Sequence, residues 1–192
     1  MGLSLVTERL WVRSWSLADA EDALAIYGVA DVTGWLTPAT DRVGDAAAMR
    51  SVLAAWIEAD PQLPAPRGRW AIAHRERGMV VGGLVIRLLP PYAEDDLELS
   101  FQLRPDAWGH GYAAEAAAAL VRWAFGHDDV EELFAVARPD NTAAAATARR
   151  VGMQWVGETD KYYDRVLHVY RIRPGDLATD PMVELPDVDR SG

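Results

Sequence analysis

Gly109 and Gly111 stand two residues apart between Trp108 and Tyr112, directly ahead of an alanine-rich run that begins at Ala113. Pro105 stops the strand before them, and the glycines let the chain turn into a helix with main-chain N–H groups pointing outward. Unpaired N–H donors and the positive end of a helix both favour a phosphate there. The missing side chains at 109 and 111 would let phosphate oxygens come close. A second candidate is Glu98, on the strand that feeds the turn. Leu97, Leu99, Phe101 and Leu103 alternate onto one face, so Glu98, Ser100, Gln102 and Arg104 share the other. A carboxylate so placed is a candidate general base, and its ordinary alternative is an exposed strand glutamate. Asn141 opens a later helix, where its local role is that of an N-cap.

Other phosphate-binding turns compete for the glycines. Gly109-His110-Gly111-Tyr112-Ala113-Ala114 also satisfies the dinucleotide fingerprint. That fold wants a parallel, nearly all-apolar strand running straight into the first glycine. Here an alternating strand is followed by a four-residue approach, Pro105 to Trp108. The strand after the helix ends in Arg138 rather than an acid, although an arginine could meet a 2′-phosphate. The turn also lies mid-chain, behind about four strands, with no second nucleotide-binding half. No Gly-Lys-Ser/Thr follows, which excludes a Walker A loop. A ligand-free strand-to-helix turn is the remaining alternative for the glycine pair alone.

Composition narrows the chemistry. A chain of 192 residues, half of them apolar, can bury a sizeable core in one unit. Its net charge of −10 disfavours a nucleic-acid partner and suits an approaching cationic acceptor such as an amine. The absence of cysteine excludes disulfides, thiolate zinc sites and a cysteine nucleophile. His74, His127 and His168 show no metal-ligand spacing, so no metal is expected. Met1 to Arg13 lacks the apolar core of a signal peptide, and no apolar run approaches the roughly 20 residues that span a bilayer. A cytoplasmic protein with no membrane association is expected.

These residues need elements to position them. Glu8 to Trp15 alternates and predicts a first strand. Ser16 to Asp19 predicts an N-cap, with a helix running to about Gly28. Val29 to Gly44 reads as a loop containing a helical turn, and Asp45 to Asp60 as a helix on the spacing of Met49, Leu53, Trp56 and Ile57. From Arg69 the period becomes two: Trp70–His74 and Met79–Leu89 form an antiparallel pair across Arg77-Gly78, and Asp96–Arg104 resumes after Pro90-Pro91. A helix through Phe125, a strand at Leu133–Ala137 and a helix from Asn141 to Val151 follow, the last closed by Gly152. Met153–Glu158 and Arg165–Arg173 make a final pair of strands. Residues 1–174 are expected to form a single unit, with 175–192 a flexible tail.

Three segments carry a resemblance: Thr7-Glu8-Arg9-Leu10-Trp11-Val12-Arg13; Trp108-Gly109-His110-Gly111-Tyr112-Ala113 with Glu115-Ala116; and Asn141-Thr142-Ala143 leading to Val151-Gly152-Met153. Together they resemble the GNAT N-acetyltransferase superfamily, in particular its RimJ/RimL-like branch, over Glu8 to about Arg173. The resemblance implies an α+β fold with α/β-type layering: a mixed, mostly antiparallel sheet of six to seven strands flanked by about four helices. It also implies a splay between the strand ending near Leu103 and the strand ending near Ala137, with acyl-CoA in the opening. The implied activity is transfer of acetyl from acetyl-CoA directly to a primary amine, either a protein N-terminus or a small molecule, through a ternary complex. The alternative is a non-catalytic acyl-CoA-binding or sensing domain.

Carried onto this sequence, the resemblance gives the pantetheine arm to backbone groups of Phe101, Gln102 and Leu103. The pyrophosphate falls to amides of Trp108, Gly109, His110, Gly111, Tyr112 and Ala113, and Asn141 faces the pantetheine region. Glu98 becomes the candidate base for the amine. The branch often carries serine three residues after the asparagine, and other branches a tyrosine seven after it. This chain has Ala144 and Ala148 there. Tyr163, with Tyr162 beside it, remains as candidate acid for the leaving thiolate, though both read equally as packing residues. Trp35 and Trp70 are candidates for an acceptor pocket, and Arg149 and Arg150 for the adenosine phosphate. Similar proteins are commonly homodimers, and no residue here establishes that assembly.

Overall fold

A computed structural model describes residues 2–36, 42–92 and 95–177. Its centre is an eight-stranded sheet in the order β1-β2-β3-β4-β5-β6-β8-β7. The strands are β1 Ser4–Val6, β2 Leu10–Ser14, β3 Gly68–His74, β4 Val80–Leu88, β5 Leu97–Leu103, β6 Leu133–Ala137, β7 Gln154–Thr159 and β8 Leu167–Ile172. The helices are α1 Ala20–Tyr27, α2 Ala30–Thr33, α3 Ala46–Ala59, α4 Tyr112–Ala124 and α5 Thr142–Val151. Among the described residues, eight strands and five helices exceed the six to seven strands and about four helices expected. The additional strand is β1, which pairs antiparallel with β2 from Ser4 opposite Arg13 to Val6 opposite Trp11. Three residues are too few for alternation to separate a strand from a loop. The additional helix is the single turn Ala30–Thr33, the helical turn expected within Val29–Gly44, of which residues 37–41 lie outside the described residues.

Two apolar layers hold the sheet. Leu10, Val12, Ile72, Leu84 and Leu99 face α4 and α5, where Ala116, Ala117, Leu120 and Val151 meet them. The small side chains of Ala116 and Ala117, both fully buried, let α4 lie close to the sheet. On the opposite face Ala71, Ala73 and Val80 pack beneath α1 and α3 through Ala23, Ile26, Met49 and Leu53. Trp15, Tyr27 and Trp56 close that layer in edge-on and tilted contacts with centroids 5.3–6.3 Å apart. Trp70 is buried against Trp123, 5.6 Å between centroids, so it belongs to the core and not to an acceptor pocket. Its place on β3 puts it beneath α4, where bulk is needed to fill the layer.

Pro174–Asp176 forms a short turn whose Asp176 carboxylate accepts from Gln154 Nε2 at 2.9 Å, and Leu177 packs against the core. The remainder of the tail, from 178 to 192, lies outside the described residues.

β2 and the start of α1 are joined by Arg13, which forks onto both oxygens of Asp19 at 2.8 Å. Burial by itself would raise the Asp19 carboxyl, but hydrogen bonds from Arg13 and Ser16 outweigh it and hold the group below its usual range. Arg13→Met would leave that carboxylate buried with only its Ser16 donors and no cationic partner, at a cost of about 3 kcal/mol of unfolding free energy. Because the folded value is depressed, the stabilisation is present above the unfolded value and is lost as pH falls through the folded one. Urea denaturation of both proteins should show a gap near neutrality that narrows below about pH 4.

Candidate active site

Among the described residues, β5 and β6 are the only parallel neighbours in the sheet, and they are registered at a single position, Glu98 opposite Phe134. On its other side β5 is paired with β4 along its whole length, from Leu97 opposite Leu88 to Leu103 opposite Gly82. Beyond Glu98 the two strands part, and a cleft of about 450 Å³ opens between them and the starts of α4 and α5. The expected splay is therefore present. Phe101, Gln102, Leu103, Trp108, Gly109, Gly111, Tyr112, Ala113 and Asn141 all line the cleft, as do Glu98 and Trp35. His110 is not among the lining residues.

The glycine turn has the geometry its sequence demands. Gly109 and Gly111 have φ of 78° and 77°, in the left-handed region, and a Cβ on Gly109 would meet nothing within 4 Å. Among the described residues, none of the amides of Gly109, His110 and Gly111 donates to a main-chain carbonyl. The carbonyls behind them are occupied. His110 Nδ1 donates to the Trp108 carbonyl at 2.8 Å, with its ring stacked on Tyr112 at 5.3 Å. The Trp108 indole donates to the Leu103 carbonyl at 3.0 Å, using one acceptor site of a group expected to meet the pantetheine arm. Such a turn at the start of a thirteen-residue helix can hold an anion on its open side.

Residues that local patterns gave no role support the turn from behind. Glu115, in the first turn of α4, accepts from the Thr7 hydroxyl at 2.6 Å, the Arg9 amide at 2.9 Å and Arg9 Nε at 2.7 Å. Arg9 Nη1 reaches on to the His110 carbonyl at 2.9 Å. Only the quoted family segments contained these residues, and no spacing rule links positions 106 apart.

Glu98 is not an exposed strand residue: it is 2% exposed. The polar face of β5 turns inward beneath α1 and the β7–β8 connection, because other polar groups meet it there. Tyr27 donates its hydroxyl to Gln102 at 3.2 Å, and Gln102 donates to Ser100 at 2.8 Å. Arg87, opposite Glu98 on β4, donates from Nε to Oε2 at 2.8 Å and from Nη2 to Oε1 at 3.3 Å. The Tyr163 hydroxyl donates to Oε2 at 2.5 Å. Oε2 thus takes two donors and Oε1 one, which leaves acceptor capacity on Oε1. Burial and then the Glu98 charge push the Tyr163 hydroxyl well above its ordinary value, so it stays protonated as a donor. Tyr162 is committed elsewhere, to Asp96 at 2.9 Å, and burial together with that carboxylate raises it to about 12.

Asn141 caps α5, its Oδ1 accepting from the Ala144 amide at 3.0 Å, and its amide nitrogen is left for the cleft. Ala144 and Ala148 line the cleft with methyl groups. Arg150 lines it as well, whereas the Arg149 guanidinium lies 5.8 Å above the Tyr170 ring. No group of three or more His, Asp or Glu side chains among the described residues could hold a metal ion. Nor is any helix among the described residues long and apolar enough to cross a membrane.

The profile for the acetyltransferase (GNAT) domain matches residues 9–154. The chain belongs to the GNAT acetyltransferase family. An uncharacterized N-acetyltransferase of Bacillus licheniformis, p20, is 26% identical over 172 residues, covering 87% of this acetyltransferase and 93% of the relative. Among solved structures, a GNAT-family acetyltransferase from Bacillus anthracis superposes with a TM-score of 0.72 at 19% identity, covering 89% of this chain and 98% of that one. Mycobacterium smegmatis RimJ, in complex with CoA-disulfide, gives 0.70 at 19% identity, with 89% and 85% covered.

Asn141→Ala should cost about 1 kcal/mol of stability through the lost cap. Asn141→Asp keeps an acceptor at the helix start and should preserve the melting temperature. Thermal denaturation of the two variants checks the difference.

Proposed function

We propose that this acetyltransferase moves acetyl from acetyl-CoA directly to a primary amine, through a ternary complex formed in the cleft between β5 and β6. The observation that carries the reading is the row of amides at Gly109–Gly111, free of main-chain partners, at the head of α4 and at the mouth of that cleft. The pyrophosphate lies on the amides from Gly109 to Ala113, the Trp108 amide being taken by the Pro105 carbonyl at 3.2 Å, and the pantetheine arm runs along the main chain of Phe101 to Leu103. With only Glu98 paired to β6, the edge of β5 has main-chain groups to offer that arm. Asn141 supplies its amide nitrogen from the facing bank.

The acceptor ammonium first releases a proton to solvent water, the neutral nitrogen attacks the thioester carbonyl carbon, the C–S bond breaks to release the thiolate, and the nitrogen loses a second proton as the amide forms. Glu98 takes that proton on Oε1, directly or through water, while Arg87 and Tyr163 fix the carboxyl from the other side. Tyr163 acts through Glu98. With Ala144 and Ala148 in place of hydroxyl-bearing side chains, the thiolate leaves unprotonated, which its usual pKa near about 8.5 permits. Asp31 and Asp140 also line the cleft, and their charge favours a cationic amine approaching from solvent. The sequence resemblance to the RimJ/RimL-like branch favours a protein N-terminus as acceptor by analogy, and a small amine is the other class the cleft admits.

Incubating the protein with acetyl-CoA and a panel of peptide N-termini and small amines, and following thiol release, tests the reading. Coenzyme binding without turnover on any amine would favour an acyl-CoA sensor. Gly109→Val places a branched side chain where the pyrophosphate should lie and should weaken CoA binding by roughly tenfold or more. Unchanged affinity in calorimetry would contradict the assignment. Glu98→Gln should lower kcat by about a hundredfold and alter the pH–rate profile. An unaltered profile would assign proton removal to water alone.

A further inference from the structure

On the reading of the glycine turn as the coenzyme pyrophosphate site, we propose that Arg9 and Glu115 are positioning residues that hold the turn in its anion-binding shape from the rear. In a trans peptide the carbonyl and the following N–H point to opposite sides. Arg9 Nη1 holds the His110 carbonyl at 2.9 Å, so the Gly111 amide is aimed away from Arg9, toward the open side of the turn. His110 Nδ1 does the same for the preceding glycine by holding the Trp108 carbonyl at 2.8 Å. Two alternate peptides are thus oriented by side chains behind them. With φ near 80° at both glycines, little else in the local chain fixes these planes.

Arg9 can do this because its own position is over-determined. Its Nε and Nη2 lie 2.7 and 2.6 Å from Glu115 Oε2, its main-chain amide donates to Oε1 at 2.9 Å, and its guanidinium sits 4.8 Å from the centre of the Tyr112 ring. Thr7 adds a 2.6 Å hydrogen bond to the same carboxylate. Burial would raise the Glu115 carboxyl, yet the donors from Thr7 and Arg9 prevail and hold it below its usual range. The Arg9 guanidinium is committed to Glu115 and to the His110 carbonyl, so it acts on the turn through the backbone. A lysine would keep the charge but lacks the planar fork that reaches Glu115 and the carbonyl together.

The test compares ligands with and without the pyrophosphate. CoA and pantetheine affinities are measured by calorimetry or competition for the wild type, Arg9→Gln, Arg9→Lys and Glu115→Gln, with melting temperatures recorded alongside. All three variants should bind CoA roughly tenfold or more weakly, with pantetheine affinity unchanged. A loss that is equal for both ligands would mean a general structural tie between β2 and α4 and would overturn the proposal. Full CoA affinity in Arg9→Lys would overturn it too, since charge alone would then suffice. Unchanged CoA affinity in all variants, with wild-type binding intact, removes the clamp and leaves the coenzyme reading standing. Absence of CoA binding by the wild type removes the coenzyme reading itself, and the clamp with it.

Discussion

The single parallel register pair between β5 and β6 is the constraint around which the rest of this molecule is arranged. A sheet strand buried in a protein must find partners for its main-chain donors and acceptors. Here a seam is left unzipped in the middle of an eight-stranded sheet, and that is affordable only if each bank is rigid without the other. β5 is held by seven register pairs with β4, and β6 by five with β8. β8 sits between β6 and β7, so the last hairpin of the chain buttresses the weaker bank. Helices α4 and α5 then start on opposite sides of the opening, each presenting its N-terminus to the same space.

The seam also explains the distribution of polarity. One face of β5 is apolar and packs beneath α4, while the other carries Glu98, Ser100 and Gln102 into a buried polar seam with Tyr27, Arg87 and Tyr163. Buried carboxylates demand paired donors, and those supplied to Glu98 come from Arg87 on β4 and Tyr163 in the β7–β8 connection. The same residues that satisfy its burial therefore set its orientation toward whatever occupies the opening.

Much of this was legible in the sequence because it rests on local patterns. The alternation of Leu97, Leu99, Phe101 and Leu103, the glycine pair and the asparagine at a helix start each have a short-range signature, and each lies at the cleft. Alternation, however, separates two faces without saying which of them meets solvent. The polar face of β5 was buried by Tyr27 and Tyr163, whose approach is a tertiary event. Arg87 lies opposite Glu98, so the pairing register of β4 with β5 would have revealed that contact; residues 89–96 separate the two strands, too long a connection for a tight turn to fix that register. β1 was too short to announce itself, and Arg9 with Glu115 had no local pattern to betray them.

That pair has a consequence for how the molecule is built. Thr7 and Arg9 are joined to Glu115 across 108 and 106 positions of chain. In a growing polypeptide the N-terminal hairpin emerges long before α4 exists, and the two can meet only when a loop of that size has closed. Closing a loop of that size costs more chain entropy than forming a local helix or hairpin. The rear of the glycine turn therefore depends on a contact that neither the turn nor α4 can make alone, and a chain without that contact would have the turn's sequence without its rear support.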